Sequence, residues 1–340
     1  MITEPGPGST RAVRVDQLGA IGNGRIDWVP TTTPGPDEVQ VEIHAVAVNY
    51  VDVLTLEGRY QFRPNLPYTP GKGPAGVVRE VGSNVDDIQI GDRVLAMVEH
   101  GGFAEAVSVD RRQVHRLPAT LEFAGASTLS VAFDTAWMAL RDRARLTAGE
   151  SVLVLGATGA VGGATIQLAR AMGAAKVIAG LASPHRLATS PLAELVDGTV
   201  DLGRSGDSIR EEVLEHTDGH GVDVVVDAIG GDAFTGGIRA VAWRGRFVVV
   251  GFASGQIATL KSNYVLLKNI EVSGLQISDY RKRMPELVAR AFEEVFDLIE
   301  TGRVMIPTYR TMPLDDWASA MEEIRARNAD RRLVLEPHRE

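Results

Sequence analysis

The chain of 340 residues contains no cysteine. Disulfides, thiolate nucleophiles and thiolate-bound metal are excluded together, while the redox compartment stays open. Basic residues are the minority, 35 against 44 acidic, giving a formal net charge of −9. A nucleic-acid surface or an anionic membrane calls for the opposite balance, so neither is expected as a partner. No apolar run approaches the ~20 residues of a membrane-spanning helix. The first residues, MITEPGPGSTR, lack the basic start and apolar core of a secretory signal, and a cytoplasmic protein is expected. Internal repeats and low-complexity tracts are absent. There are seven histidines, and His115, His185, His216 and His220 show no ligand spacing, so no metal site is expected.

What is present begins with length, which exceeds what one hydrophobic core usually serves and so predicts two domains. The most informative stretch is SVLVLGATGAVGG, Ser151 to Gly163. Val152-Leu153-Val154-Leu155 is short and continuously apolar, like a parallel strand covered on both faces. From Ala164 to Met172 the apolar residues Ile166, Leu168, Ala169 and Met172 recur at helical spacing. Between strand and helix lies Ala157-Thr158-Gly159-Ala160-Val161-Gly162, the dinucleotide fingerprint G-x-G-x-x-G with alanine first. Gly159 lets the backbone approach a pyrophosphate, Gly162 lets helix pack on strand, and the unpaired amides of the helix start attract phosphate charge. Tight strand-to-helix turns need glycine without any ligand too; the strand before and helix after favour a cofactor here.

In such a sheet the tip of the second strand selects the cofactor, because an acidic residue ~20 positions on holds the adenosine ribose of NAD. Gly180-Leu181-Ala182-Ser183-Pro184-His185-Arg186 carries no carboxylate. Ser183 can hydrogen-bond the extra phosphate of NADP and Arg186 can pair with it, so NADPH is the expected cofactor. Ser183 also has the place of a cap for a helix starting at Pro184, a role compatible with the first.

Around this turn the chain reads in three parts. Residues 11–117 are strand-like and rich in glycine and proline, with short strands expected at Val39 to Ile43, Val77 to Val81 and Arg93 to Ala96, as in a small bent β body. Within that part the text after Asn49 suits a short helix, for which Asn49 or Asp52 could simply be the cap. A helical pattern from Phe123 to Arg145 leads into strands at Lys176 to Ala179, Val222 to Ala228, Arg246 to Gly251 and Ile270 to Gly274, alternating with helical text: a doubly wound parallel sheet, an α/β fold. After Asp279 a helix is expected through Gly302, then a short helix around Trp317 to Ile324 and a final strand at Leu333-Val334-Leu335, too isolated to extend the nucleotide sheet.

The fixed order of Val48-Asn49-Tyr50-Val51-Asp52, Leu66-Pro67-Tyr68-Thr69-Pro70-Gly71, Gly76-Val77-Val78, Gly91-Asp92-Arg93-Val94 and the Ala-x-Gly-x-x-Gly turn resembles the medium-chain dehydrogenase/reductase superfamily, most closely its zinc-free quinone oxidoreductase (zeta-crystallin-like) family. The resemblance covers Arg11 to Pro337. It implies a GroES-like bent β catalytic domain from residues 1–127 and 278–340, and a Rossmann NADP-binding domain from 128–277, with NADPH in the cleft. Zinc-bearing relatives keep a ligand Cys near the Asn49 position and Gly-His-Glu after the Pro-Gly; here Lys72 and Gly73 stand in place of the His and Glu.

For a metal-free hydride transfer, positioning and a hydrogen-bond donor to the developing oxyanion are the chief needs. The resemblance places Asn49 near the nicotinamide and Tyr60 facing the substrate, as the polarising and proton-donating group, or else as an amphipathic pocket wall. It places Thr135 at the cofactor, Gly251, Phe252 and Ala253 at the carboxamide, and Arg332, with Arg331, near the phosphates. Lys72 could reach the site, although the plain reading is a surface lysine. Two departures are Leu54 and Leu202, where relatives often have tyrosine; the first loosens a quinone assignment, the second removes a phosphate ligand. The implied reaction is NADPH-dependent reduction of a quinone, with an enone or enoyl thioester as the alternative. A non-catalytic NADPH-binding protein on the same fold is the competing class. Relatives usually pair as homodimers through the last sheet strand, here Ile270 to Gly274.

Overall fold

The computed structural model describes residues 8–182 and 184–339. Two compact units emerge: Met1–Val131 with Ser278–Phe296 and Ile306–Glu340, and Ala132–Ile277 with Asp297–Met305. The first boundary falls at Val131 rather than at 127–128, and the reason is local. The helical stretch expected from Phe123 to Arg145 is three pieces, Phe123–Leu129, Ala132–Trp137 and a more loosely wound Met138–Arg143. Val131 has a φ of 62°, a left-handed conformation that a β-branched residue rarely adopts, and it stops the first helix. Apolar residues continue across the break, which hides it from periodicity. Similarly, the helix expected from Asp279 to Gly302 is two, Ile277–Arg283 and Pro285–Glu300. Pro285 has no N–H to donate and fits only a first turn.

The second unit is built on six parallel strands in the order Gly198–Asp201, Lys176–Leu181, Ser151–Leu155, Val222–Asp227, Val241–Val249, Glu271–Gly274. Leu153 lies opposite Ile178 on one side and Val225 on the other. Val152 to Leu155 are all buried, as their unbroken apolar text requires. Leu153, Leu155, Ile178, Val225 and Phe247 pack with Ile209, Phe234 and Ile238 from the flanking helices Gly206–His216 and Gly231–Ala240. The fifth strand starts five residues before the expected Arg246. Its register slips between Val222 and Val224 of its neighbour, with Arg244 at a φ of 64°, so the alternation that marks a strand is interrupted there.

The first unit holds a seven-stranded sheet whose main path is Tyr309–Pro313, Arg332–Glu336, Glu38–Ala47, Ala75–Val81, Arg93–Ala96, Val114–Arg116, with Ala106–Asp110 also on Glu38–Ala47. Arg332–Glu336 pairs antiparallel to Glu38–Ala47, with Val334 opposite Ala47. Ile43, Val46, Phe103, Trp317, Leu333 and Leu335 form its core. Among the described residues no helix is long and apolar enough to cross a membrane.

His115, on the strand Val114–Arg116, is buried with its ring 4.6 Å from Phe292 and its Nε2 without a hydrogen-bond partner among the described residues. Burial, then Arg281, pushes it down to about 3. The unfolded chain takes up the proton near 6.5 and the folded one only near 3, so stability falls as pH drops through that window, by roughly 1.4 kcal/mol per pH unit. We expect His115→Leu to flatten this slope in urea melts between pH 6.5 and 4; an unchanged slope would assign the loss to other groups.

Candidate active site

In the second unit, the strand Ser151–Leu155 ends at Gly156, with a φ of 87°, and the amides of Gly156 and Ala157 both donate to Gly180 O at 3.1 Å. The helix Ala160–Ala171 follows, and its N-cap, Gly159, contributes no side-chain bond to the first turn. A Cβ on Gly162 would sit 2.2 Å from Gly156 O and 2.7 Å from Ala157 Cα, so only glycine fits. A Cβ on Gly159 would meet nothing nearer than Gly156 O at 3.3 Å. The fold demands Gly162 and merely permits Gly159. Without a side chain, exposed Gly159 leaves the backbone accessible before helix amides that no side chain caps, flanked by exposed Thr158 and half-buried Ala160 and Val161. A dinucleotide pyrophosphate suits that cradle in size and charge.

Two other segments meet the same carboxyl edge of the sheet. One is the tip after Lys176–Leu181, where Arg186 is exposed on the short helix Pro184–Ala188; Ser183 lies outside the described residues. Leu202 packs its side chain toward Gly180 there, at 3.1 Å from where a Cβ would be. The other is the chain after Val241–Val249: Val250 and Gly251 amides donate to Asp227 O, and the Ala253 amide donates to Ala228 O at 3.0 Å. These bonds hold Gly251, Phe252 and Ala253 beside the end of Val222–Asp227, with the Phe252 ring exposed. Asp227 itself escaped the sequence reading. One oxygen accepts from the Ile229 and Gly230 amides at 2.7 and 3.0 Å, the other has no partner among the described residues, and burial pushes the carboxyl up to about 6. Thr135 is buried on Ala132–Trp137, with its amide donating to Asp134 Oδ1.

In the first unit, Asn49 is the N-cap of Tyr50–Leu56 and buried. Its amide N–H donates to Asp52 Oδ2 at 2.9 Å, its Nδ2 donates to Ala47 O at 3.0 Å, and its Oδ1 accepts from Arg332 Nη2 at 2.7 Å. The structure thus gives Asn49 the capping role and also makes its side chain a link between the helix and the strand Arg332–Glu336. Arg332, expected near phosphate, has this amide as a partner. Burial brings its guanidinium down to about 10. Asp52 is pushed up to about 6 by burial, against the opposing pull of Lys72, Asn49 and Arg332.

Lys72 is not a surface residue. It is 4% exposed, and its Nζ donates to both the main-chain oxygen and Oε2 of Glu99, each at 2.7 Å. Ser278 Oγ donates to Glu99 Oε2 at 2.8 Å, and Arg281 Nη1 lies 3.3 Å from Oε1. Burial alone would raise the Glu99 carboxyl, but Lys72 and Arg281 outweigh it and hold it at about 2. The Lys72 ammonium also stands 5.7 Å from the centre of the Tyr60 ring. The surrounding text, Pro70-Gly71-Lys72-Gly73-Pro74, held a signal of this: a lone charge between residues that have no polar side chain to solvate it.

Comparison with known proteins agrees with the geometry. A family profile described as zinc-binding dehydrogenase matches residues 160–294, and one described as alcohol dehydrogenase GroES-like domain matches residues 35–119. The chain is 33% identical to a quinone oxidoreductase-like protein 2 homolog of Nematostella vectensis, over 91% of this chain and 84% of that one. A quinone oxidoreductase of Pseudomonas syringae superposes with a TM-score of 0.88 at 27% identity, covering 96% of this chain and all of that one. The CurK enoyl reductase superposes with a TM-score of 0.84 at 26% identity, covering 96% and 99%. A Rossmann unit with a glycine cradle and a GroES-like unit in one chain define a nicotinamide-dependent oxidoreductase. The chain belongs to the medium-chain dehydrogenase/reductase superfamily and, within it, to the zinc-free quinone oxidoreductase family.

The two glycines separate fold from binding. Gly162→Val should destabilise the protein by about 2 kcal/mol or more, because the turn has no room for it. Gly159→Val should cost much less stability than Gly162→Val yet lose nucleotide binding in calorimetry; retained binding would place the pyrophosphate elsewhere.

Proposed function

We propose that the protein is an NADPH-dependent reductase that transfers hydride to a quinone without a metal ion. The carrying observation is the clear cradle at Gly159 beside a strand tip without a carboxylate. When bound, the reduced nicotinamide supplies the hydride. The helix amides at Ala160 to Gly162 meet the pyrophosphate, Arg186 and Ser183 meet the 2′-phosphate, Thr135 borders the cofactor, and main-chain groups of Gly251 to Ala253 hold the carboxamide. Arg332 stays with Asn49 and orients the helix start that carries Asp52.

A quinone that accepts hydride becomes a hydroquinone anion, and the arriving charge settles on oxygen. Tyr60 donates a hydrogen bond to that oxygen and stabilises it, then a proton completes the hydroquinone. Support for working without zinc comes from the donor set: no cysteine, and Lys72 held by Glu99 where zinc-bearing relatives have their histidine. The likeness to an enoyl reductase favours a second reading, reduction of the double bond of an enone or enoyl thioester, with the same Tyr60 polarising the carbonyl.

The working form we propose is a cytoplasmic homodimer, with no nucleic-acid or membrane partner. Glu271–Gly274 is an edge strand with an unpaired side, and Trp243, Leu266 and Leu267 are exposed in the same unit at 64%, 77% and 72%.

NADPH should bind more tightly than NADH, and Arg186→Glu should weaken NADPH roughly tenfold to a hundredfold with little effect on NADH. Side-by-side calorimetric titrations measure this; equal affinities in the wild type would remove the NADPH assignment. Oxidation of NADPH with 1,4-benzoquinone, 9,10-phenanthrenequinone and crotonyl-CoA then separates the two substrate readings.

A further inference from the structure

Tyr60 sits on a stretch, residues 59–66, that lies outside helix and strand. Its main-chain N–H donates to Leu54 O at 3.0 Å. Two cations bracket the aromatic pair that Tyr60 forms with Phe62, whose ring centres are 6.1 Å apart at 62°. Lys72 Nζ lies 5.7 Å from the Tyr60 ring centre, and Lys282 Nζ lies 5.2 Å from that of Phe62. Lys282 and Arg281 are neighbours on Ile277–Arg283, so one helix reaches Tyr60 by two routes, through Phe62 and through Glu99 and Lys72.

Burying Lys72 is not explained by stability. An interior ion pair often does no better than well-packed apolar residues of similar volume, and here two cations share one carboxylate. What an apolar side chain could not supply is a positive charge against the face of a phenol, where the ring quadrupole attracts it and water does not screen it.

We propose that Lys72 is a positioning residue for Tyr60: its ammonium, fixed by Glu99, Arg281 and Ser278, holds the phenol in the orientation from which it donates to substrate oxygen. The inference rests on the donating role of Tyr60 proposed above and adds what keeps that donor in place.

A double-mutant cycle tests it. Lys72→Met should lower kcat roughly three- to thirty-fold, the range from an exposed to a desolvated cation–π contact. The quinone KM and the NADPH dissociation constant should stay within about twofold, because neither ground-state contact is removed. Lys72→Arg should restore most of the rate, and adding Lys72→Met to Tyr60→Phe should cost nothing further. Losses that simply add would show that Lys72 acts apart from Tyr60 and overturn the proposal. A second readout needs no turnover: in fluorotyrosine-labelled protein, the fluorine resonance that vanishes in Tyr60→Phe should move toward the unfolded-chain position in Lys72→Met and stay in Lys72→Arg. An unmoved resonance overturns the proposal whatever the activity, whereas a moved one in a protein that reduces no substrate would sink only the functional reading. If Lys72→Met does not fold, Lys282→Ala, at an exposed position, loosens the same stack from its other end and should shift the same resonance; no shift there also overturns it.

Discussion

A helix that starts within van der Waals reach of the strand preceding it leaves no room for a side chain at the point of contact. Gly162 against Gly156 O is that point, and the rest of the second unit is arranged around it. The close approach aims the opening amides of Ala160–Ala171 past the end of Ser151–Leu155 instead of along it. Because the sheet is parallel, the tip of Lys176–Leu181 and the chain leaving Val241–Val249 come out on the same edge. One steric constraint thereby gathers a phosphate cradle, a cofactor-selecting tip and a set of main-chain donors.

The first unit is governed by a different balance, in which carboxylates in one interior are driven opposite ways. Glu99, between two cations, is held at about 2, while Asp52, with one main-chain amide and more distant charges, rises to about 6. Neighbouring positive charge decides between them: Asp52 is buried and Glu99 half-buried, and burial raises both. Lys72 contributes to both, and it is one of the residues at which the resemblance to zinc-bearing relatives breaks. Where relatives put a ligand for a cation, this protein carries a cation of its own.

Most of the architecture could be read from the text because its signals are local. The strand Val152 to Leu155 and the glycine turn announce themselves within thirteen residues, and the absence of a carboxylate from Gly180 to Arg186 needs no neighbour to interpret. What was not legible depends on distant partners or on single backbone angles. Lys72 looks like any lysine until Glu99 and Arg281 are brought to it. Val131 breaks a helix whose apolar pattern runs on, and the slip at Arg244 conceals the start of a strand. Asn49 was readable as a cap, but its bond to Arg332 joins positions 283 apart in sequence. Pro285 was the avoidable omission: proline in a helical run marks a start.

The pairing of Arg332–Glu336 with Glu38–Ala47 also bears on how the molecule is made. Residues 132–277 leave the ribosome as one continuous stretch and include every strand of the parallel sheet. The sheet begun by the earliest-synthesised strands waits for almost the whole of translation before its neighbour arrives. The parallel sheet can therefore close before the first unit's sheet does, and until the last strand is made Val46 and Ala47 lack the partners they have in Leu335 and Val334.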